Sequence, residues 1–223
     1  MELLKDKIYF IVKQKILDCD LKPGEFIQEN QFIKQLDVSR TPLREAFSKL
    51  EEEGLLHVIS KKGVQVKNLS LVSITHTYEA RLLLEPFILR NYWDNLNLND
   101  LKDIKNKIIE LKSNKPQIIT EEYIDSFFQL DNLFHRTICK ACSNEYLVKS
   151  LMNVDDEVER VRKALGKNSR YSASAEEHLK IINDILNNDR DAAIKELSSH
   201  INKSKNIALQ SMSFKDIDYK VFD

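Results

Sequence analysis

Along most of the chain apolar residues recur at intervals of three and four, the period of a helix with one buried face. Ile8, Ile11, Val12, Ile16 and Leu17 predict a first helix over Lys7–Leu17, and Leu21-Lys22-Pro23-Gly24-Glu25 reads as a turn. Phe32, Ile33 and Leu36 give the inner side of a short helix over Glu29–Leu36, and Asp37-Val38 leads tightly into a third. There Leu43, Ala46, Phe47 and Leu50 form one stripe. Ser39 suits the N-cap, and Pro42 sits in the first turn, where an amide has no intrahelical partner anyway. Gly54 closes this helix. The period then changes: Leu56-His57-Val58-Ile59 and Val64-Gln65-Val66 flank Lys61-Lys62-Gly63, a pattern for a short hairpin with a basic tip.

From Ser70 onward the helical period returns and stays. Leu71 to about Trp93 predicts a long helix carrying Ile74, Tyr78, Leu82, Leu89 and Tyr92, which Pro86 is expected to kink or interrupt. Asn97 opens a helix with Leu98, Leu101, Ile104, Ile108 and Leu111, ended by Lys112–Pro116. Thr120 caps Glu121–Ala141; after Ser143-Asn144-Glu145 a helix runs from Tyr146 to about Leu165. Gly166–Ser172 reads as a polar loop, and Ser174-x-x-Glu177 as a capping box for Ala175–Leu186. Asn187-Asn188-Asp189 turns into a last helix, Ala192 to about Met212, and no structure is read in the charged tail.

In the third helix Arg40, Thr41 and Arg44 lie off the apolar stripe near the N-terminus. A recognition helix meets base edges there, and its dipole favours phosphate. Ser39 belongs to the same edge, while Lys62 and Gly63 at the hairpin tip could reach the backbone or the minor groove. Leu21–Gly24, Glu29, Val38–Ala46, Leu50, Gly54-Leu55 and Gly63-Val64 resemble the winged helix-turn-helix of the GntR family of bacterial transcription regulators. The family usually has glycine where this chain has Asp37; aspartate tolerates left-handed backbone better than most residues, so the turn is expected to survive.

A formal net charge of −1 excludes a generally basic nucleic-acid binder but not a local patch built from Arg40, Arg44, Lys49, Lys61, Lys62 and Lys67. Specific binding is then expected to need a dimer presenting two patches. Four glycines and four prolines in 223 residues favour a mainly helical chain. No apolar run approaches the length of a membrane span, and charges interrupt any signal-peptide core, so a cytoplasmic protein is expected. Cys19, Cys139 and Cys142 fit a reducing compartment; the C-x-x-C of the last two falls late in a helix, without a second cysteine pair.

Histidine placement adds candidate chemistry. Asp131 and His135 are one helical turn apart, and His178 and His200 lie on two later helices. Imidazoles with a carboxylate suit zinc, nickel, manganese or iron, and helical bundles assemble such ligands from facing helices. Periodicity alone does not show that these helices face one another. Arg81-x-x-x-Glu85, Asp131-x-x-Phe134-His135, Asn144, Glu177-His178 and His200 resemble the FCD domain of the FadR branch of the GntR family. The resemblance implies a divalent ion, zinc foremost, on Asp131, His135, His178 and His200. It also implies an effector pocket involving Arg81 and Asn144, although Arg81 could simply pair with Glu85 and Asn144 could cap the next helix. Arg136, Arg162 and Arg170 could also meet a carboxylate; His57 and His76 read as structural or exposed.

Together these features predict a mainly α chain: a winged helix-turn-helix domain over residues 1–68, an all-helical effector and dimerisation bundle over 69–213, and a tail over 214–223. The implied protein is not an enzyme. It is a homodimeric regulator that binds double-stranded operator DNA and a small organic acid, with no membrane association. The alternatives are a metal-dependent enzyme of helical-bundle type, for which no obvious base or nucleophile is present, and a metal-free regulator sensing a lipid or acyl group.

Overall fold

The computed structural model describes residues 4–165 and 170–219, with side chains up to residue 213. Its elements are α1 (Leu4–Leu17), β1 (Phe26–Ile27), α2 (Glu29–Leu36), α3 (Arg40–Glu52), β2 (Leu56–Ile59), β3 (Gly63–Val66), α4 (Leu71–Asn91), a 3₁₀ turn (Trp93–Asn95), α5 (Leu98–Ser113), α6 (Glu121–Lys140), α7 (Glu145–Leu165), α8 (Tyr171–Leu186) and α9 (Arg190–Tyr219). The chain is mainly helical, as its periodicity predicts. Its contacts divide it into two compact units: one reaches Ser70 and includes Glu159–Ala164, and the other begins at Leu71.

In the first unit the stripes of α1, α2 and α3 close on one core, in which Val12, Ile16, Leu43 and Leu50 are fully buried beside Phe47. α1 begins three residues earlier than Lys7. Between α2 and α3, Asp37 takes a left-handed φ of 49°, and the Val38 amide donates to the Ile33 carbonyl at 3.2 Å. The expected departure from glycine is thus accommodated. β2 and β3 form the predicted antiparallel hairpin, with Val58 opposite Val64 and Ile59 opposite Gly63. A strand the period did not announce, β1, adds to the other edge of β3 and gives the order β1-β3-β2. Two residues are too few to display alternation.

The second unit is a helical bundle. α4 packs against α9 and α6, α8 packs against α9 and α6, and α5 lies on α6 and α8. Two predicted caps are present: Asn97 accepts from the amides of Asn99 and Asp100, and Thr120 accepts from that of Tyr123. Three expectations are corrected. Pro86 does not interrupt its helix; α4 runs unbroken to Asn91, held on both sides of the proline by the fully buried Glu85, Ile88 and Leu89. Ser174 is no N-cap, because α8 has already begun at Tyr171, whose ring packs on Tyr123 and Phe127 of α6. α9 begins at Arg190 and continues to Tyr219, so the segment read as an unstructured tail is helical through that residue. Residues 166–169 of the predicted polar loop and 220–223 of the tail lie outside the described residues. The 3₁₀ turn places Trp93 with its indole Nε1 donating to Asn188 Oδ1 at 3.1 Å and the Arg190 guanidinium 5.3 Å from its ring.

Candidate functional site

Three helices of the second unit converge on one buried cluster. α6 contributes Asp131 and His135 from successive turns, α8 contributes His178, and α9 contributes His200; each is at most 6% exposed. One ligand atom from each lies within 4.8 Å of all the others. His200 Nε2 is 3.2 Å from both His135 Nε2 and His178 Nε2, and Asp131 Oδ1 is 3.5 Å from His178 Nε2. The apolar wall is tight: the Phe134 ring lies against His178, with centroids 4.5 Å apart.

The outer nitrogens of two imidazoles face carboxylates. His135 Nδ1 is 2.6 Å from Glu85 Oε2, and His200 Nδ1 is 2.8 Å from Glu177 Oε2. An ionised carboxylate only accepts, so each Nδ1 carries the proton and each Nε2 turns a lone pair inward. Two lone pairs facing each other at 3.2 Å, with an aspartate beside them, repel unless a cation lies among them. Tetrahedral zinc with bonds of about 2.0–2.1 Å separates its nitrogens by roughly 3.3–3.4 Å, so the spacing and the donor set both fit a divalent ion.

Electrostatics keeps these groups in the required forms. Burial alone would raise the Glu85 carboxyl, but the Arg81 charge and His135 hold it down at about 2. Burial pushes His135 down to about 4, aided by Arg81 and opposed by Glu85 and Asp131. Burial likewise lowers His200, against its bond to Glu177. Burial also opposes ionisation of Glu177, yet hydrogen bonds from His200 and Lys203 and the charge of Arg170 bring it to about 2. Neutral imidazoles and ionised carboxylates are the metal-binding forms.

Arg81 lies fully buried on α4, with Nε paired to Glu85 Oε1. Its Nη1 is buried and, among the described residues, meets no hydrogen-bond partner. Breaking such a buried pair by removing one member costs on the order of 3–5 kcal/mol. A cleft bounded by Phe127, Phe128, Tyr171 and Ser174 reaches Asp131 and His178. Asn144 is not part of this arrangement as seen: it is exposed, and its Oδ1 accepts from the amides of Tyr146 and Leu147, the bonds of a cap on α7. Arg136, His57 and His76 are exposed. Cys139 and Cys142 are buried free thiols, and burial raises Cys139 to about 11, which suppresses the thiolate that redox or metal chemistry would need.

In the sequence Glu85 and Glu177 stand only as parts of a motif, and Ser174 lies inside α8 rather than at its cap. Ser174 donates from Oγ to Asp131 Oδ1 at 3.0 Å. Only the spacing of Arg81 and Glu85 hinted at any of this, because the decisive partners are 50, 23 and 43 positions away.

The first unit presents the other set. Arg40, Thr41 and Arg44 are exposed along the first turns of α3, where Ser39 occupies the N-cap position without a capping side-chain bond. Arg44 Nε lies 3.5 Å from Glu29 Oε2 while the side chain stays 66% exposed, so the guanidinium can exchange that partner for a stronger one. Lys62 is exposed at the hairpin tip, and Gly63 has a φ of +106°, a conformation side chains rarely adopt.

Residues 4–66 match the bacterial regulatory proteins of the gntR family, and residues 76–203 match the FCD domain. The chain belongs to the GntR regulators that carry an FCD domain. The HTH-type transcriptional repressor RspR of Escherichia coli K12 is 25% identical to this regulator over 199 residues, 89% of this chain and 86% of its own. The structure of E. coli McbR/YncC superposes with a TM-score of 0.78 at 18% identity, covering 95% of this chain and 100% of that one. The Zn²⁺-bound FCD domain of TM0439 is 25% identical, with a TM-score of 0.54, and covers 65% of this chain and 96% of that one. Among the described residues no helix is long and apolar enough to cross a membrane.

Proposed function

We propose that this GntR regulator, of the FadR branch, is a metabolite-responsive dimer. It binds an inverted-repeat operator through Arg40, Thr41 and Arg44, with Ser39, Lys62 and Gly63 on the DNA backbone. Asp131, His135, His178 and His200 hold one divalent ion, zinc foremost, and a small organic acid binds beside it. The observation that carries the metal reading is the pair of inward Nε2 lone pairs, held 3.2 Å apart beside a carboxylate. A Zn²⁺-bound FCD relative supports it. The ion would supply a fixed positive charge; four protein ligands complete a tetrahedral shell, so water or a carboxylate oxygen would join it only by raising the coordination number to five.

The chain's own part is to bind and orient the acid. Arg81 Nη1, buried and without a partner among the described residues, offers a donor to an anionic group. The cleft lined by Phe127, Phe128 and Tyr171 has a volume of only about 10 Å³, room for about one water, so these side chains would have to part to admit a short organic acid. Asn144, a cap in this structure, would join the pocket only by giving up its bonds to α7. The acid changes DNA binding only if it has different affinities for two conformations of the dimer. An exposed apolar stripe on α4, made by Val72, Leu83 and Phe87, supports a dimer. In this reading the protein is not an enzyme, and its compartment is the cytoplasm.

Metal analysis of the full chain purified without chelator tests the centre. One zinc per chain is expected, together with a rise in thermal stability on adding Zn²⁺. Metal-free protein that shows no such rise with Zn²⁺, Ni²⁺ or Mn²⁺ overturns it. Sequencing genomic fragments retained by the protein tests the operator reading, for which inverted half-sites are expected.

A further inference from the structure

Two chains of side chains run into the candidate metal centre from different helices, and they share one chemistry. In the first, Arg81 and Glu85 of α4 lead to His135: Arg81 Nε holds Glu85 Oε1 while His135 Nδ1 holds Oε2. In the second, Arg170 leads to Glu177 and His200. Arg170 Nη2 donates to Glu177 Oε2 at 2.6 Å, Lys203 Nζ donates to Oε1 at 3.0 Å, and His200 Nδ1 meets Oε2 at 2.8 Å. Each glutamate therefore has cationic donors beside its histidine. It can neither rotate away nor take up a proton without losing a charged partner.

We propose that Glu85 and Glu177 are positioning residues of the metal centre, each locking one imidazole in the tautomer and orientation that aims Nε2 at the ion. The proposal rests on the metal reading above. A ring held at Nδ1 by an acceptor has a single way to present a lone pair, whereas a ring without that acceptor can place its proton on Nε2 and turn it away from a cation. Partners of this kind orient ligands and raise their basicity, and losing one typically costs 10–100-fold in metal affinity. The two relays differ in setting. Arg81 and Glu85 are fully buried, whereas Arg170 and Glu177 are at the rim with side chains 13% and 17% exposed, so the second relay can be altered without emptying the core.

The test measures Zn²⁺ affinity of the full chain against graded chelators for wild type, Glu177→Ala and Glu177→Gln, with metal-free thermal stability recorded for each. Glu177→Ala is expected to bind 10–100-fold more weakly. Glu177→Gln keeps an oxygen for His200 Nδ1 and should recover most of that loss. Cobalt-substituted Glu177→Gln should retain the wild-type visible bands, and Glu177→Ala should shift them. Wild-type affinity in Glu177→Ala would overturn the proposal. So would equal losses in the two variants, since charge alone would then explain the effect. Wild-type protein that binds no metal overturns the reading on which the proposal rests, a separate outcome. Glu85→Gln is expected to weaken binding too; should it fail to fold, the Glu177 pair decides.

Discussion

Ser174 Oγ donates to Asp131 Oδ1 at 3.0 Å and so ties the first turns of α8 to the carboxylate of the cluster. This bond leaves Asp131 Oδ2 on the side of His135 Nε2, 3.9 Å away. Ser174→Ala should cost about 1 kcal/mol of stability, as a single hydrogen bond usually does. Zn²⁺ affinity should fall at the same time, because Asp131 gains freedom to turn. Chelator competition checks this: a stability loss with affinity unchanged would leave the serine a purely structural role.

His178 has Phe134 packed on its ring and its Nε2 among the converging atoms. His178→Ala is expected to abolish the stabilisation produced by Zn²⁺, while the metal-free protein still unfolds in one cooperative transition. Truncating so buried a ring costs on the order of 2–4 kcal/mol, and the rest of the bundle core remains. A Zn²⁺-induced rise in melting temperature equal to that of wild type would remove His178 from the centre.

The metal-free protein should lose stability on acidification in two stages. His135 takes a proton at about 4 when folded and about 6.5 when unfolded. Between those values the unfolded chain binds more protons, so stability is complete above about 6.5. It falls as pH drops toward 4, by at most about 1.4 kcal/mol per pH unit. Glu85 and Glu177 ionise at about 2 when folded, against 4.5 as free side chains, so their contribution disappears between 4.5 and 2. Chemical denaturation across this range in chelator should show a smaller upper stage for His135→Gln, which has no imidazole to charge, and a reduced lower one, because His135 helps to hold Glu85 down while Glu177 keeps its own partners.

Arg44→Ala should cost about 1–3 kcal/mol on a specific site and relax the preference at one base position. Lys62→Ala, at the hairpin tip, should weaken binding to all sequences and reduce the salt slope by about one. Binding measured on matched and mismatched sites at several salt concentrations separates the two. Specific binding that survives Arg40→Ala combined with Arg44→Ala would take α3 out of the groove.

Leu83 is 72% exposed on α4, one turn from the half-exposed Phe87. Sedimentation of the wild type should give twice the chain mass of 26.1 kDa. Leu83→Glu, which puts a charge on that stripe, should shift the protein toward the single-chain mass. A monomeric wild type that still binds one half-site tightly would contradict the dimer.

What the sequence disclosed was local. The caps at Asn97 and Thr120 were readable because each bonds amides two or three residues away. The α3 stripe was readable because one buried face repeats over 13 residues. Pro86 misled because its local penalty is fixed, whereas what offsets it is packing by residues distant in the chain. Ser174 misled because a serine three places before a glutamate also occurs inside helices, and here the aromatic contacts of Tyr171 start the helix earlier. The four cluster residues could be named in advance, but their convergence needed the bundle. The two glutamates behind the histidines had no signature beyond their place in a motif.

Trp93 is the single tryptophan of the chain, and it sits in the second unit under the Arg190 guanidinium. Indole emission therefore reports on the bundle alone, and the DNA-reading unit is dark in that channel. Unfolding followed by this emission beside far-ultraviolet circular dichroism would resolve the melting of each unit without any label. A quencher or a bound acid that alters the emission can be assigned to the bundle at once.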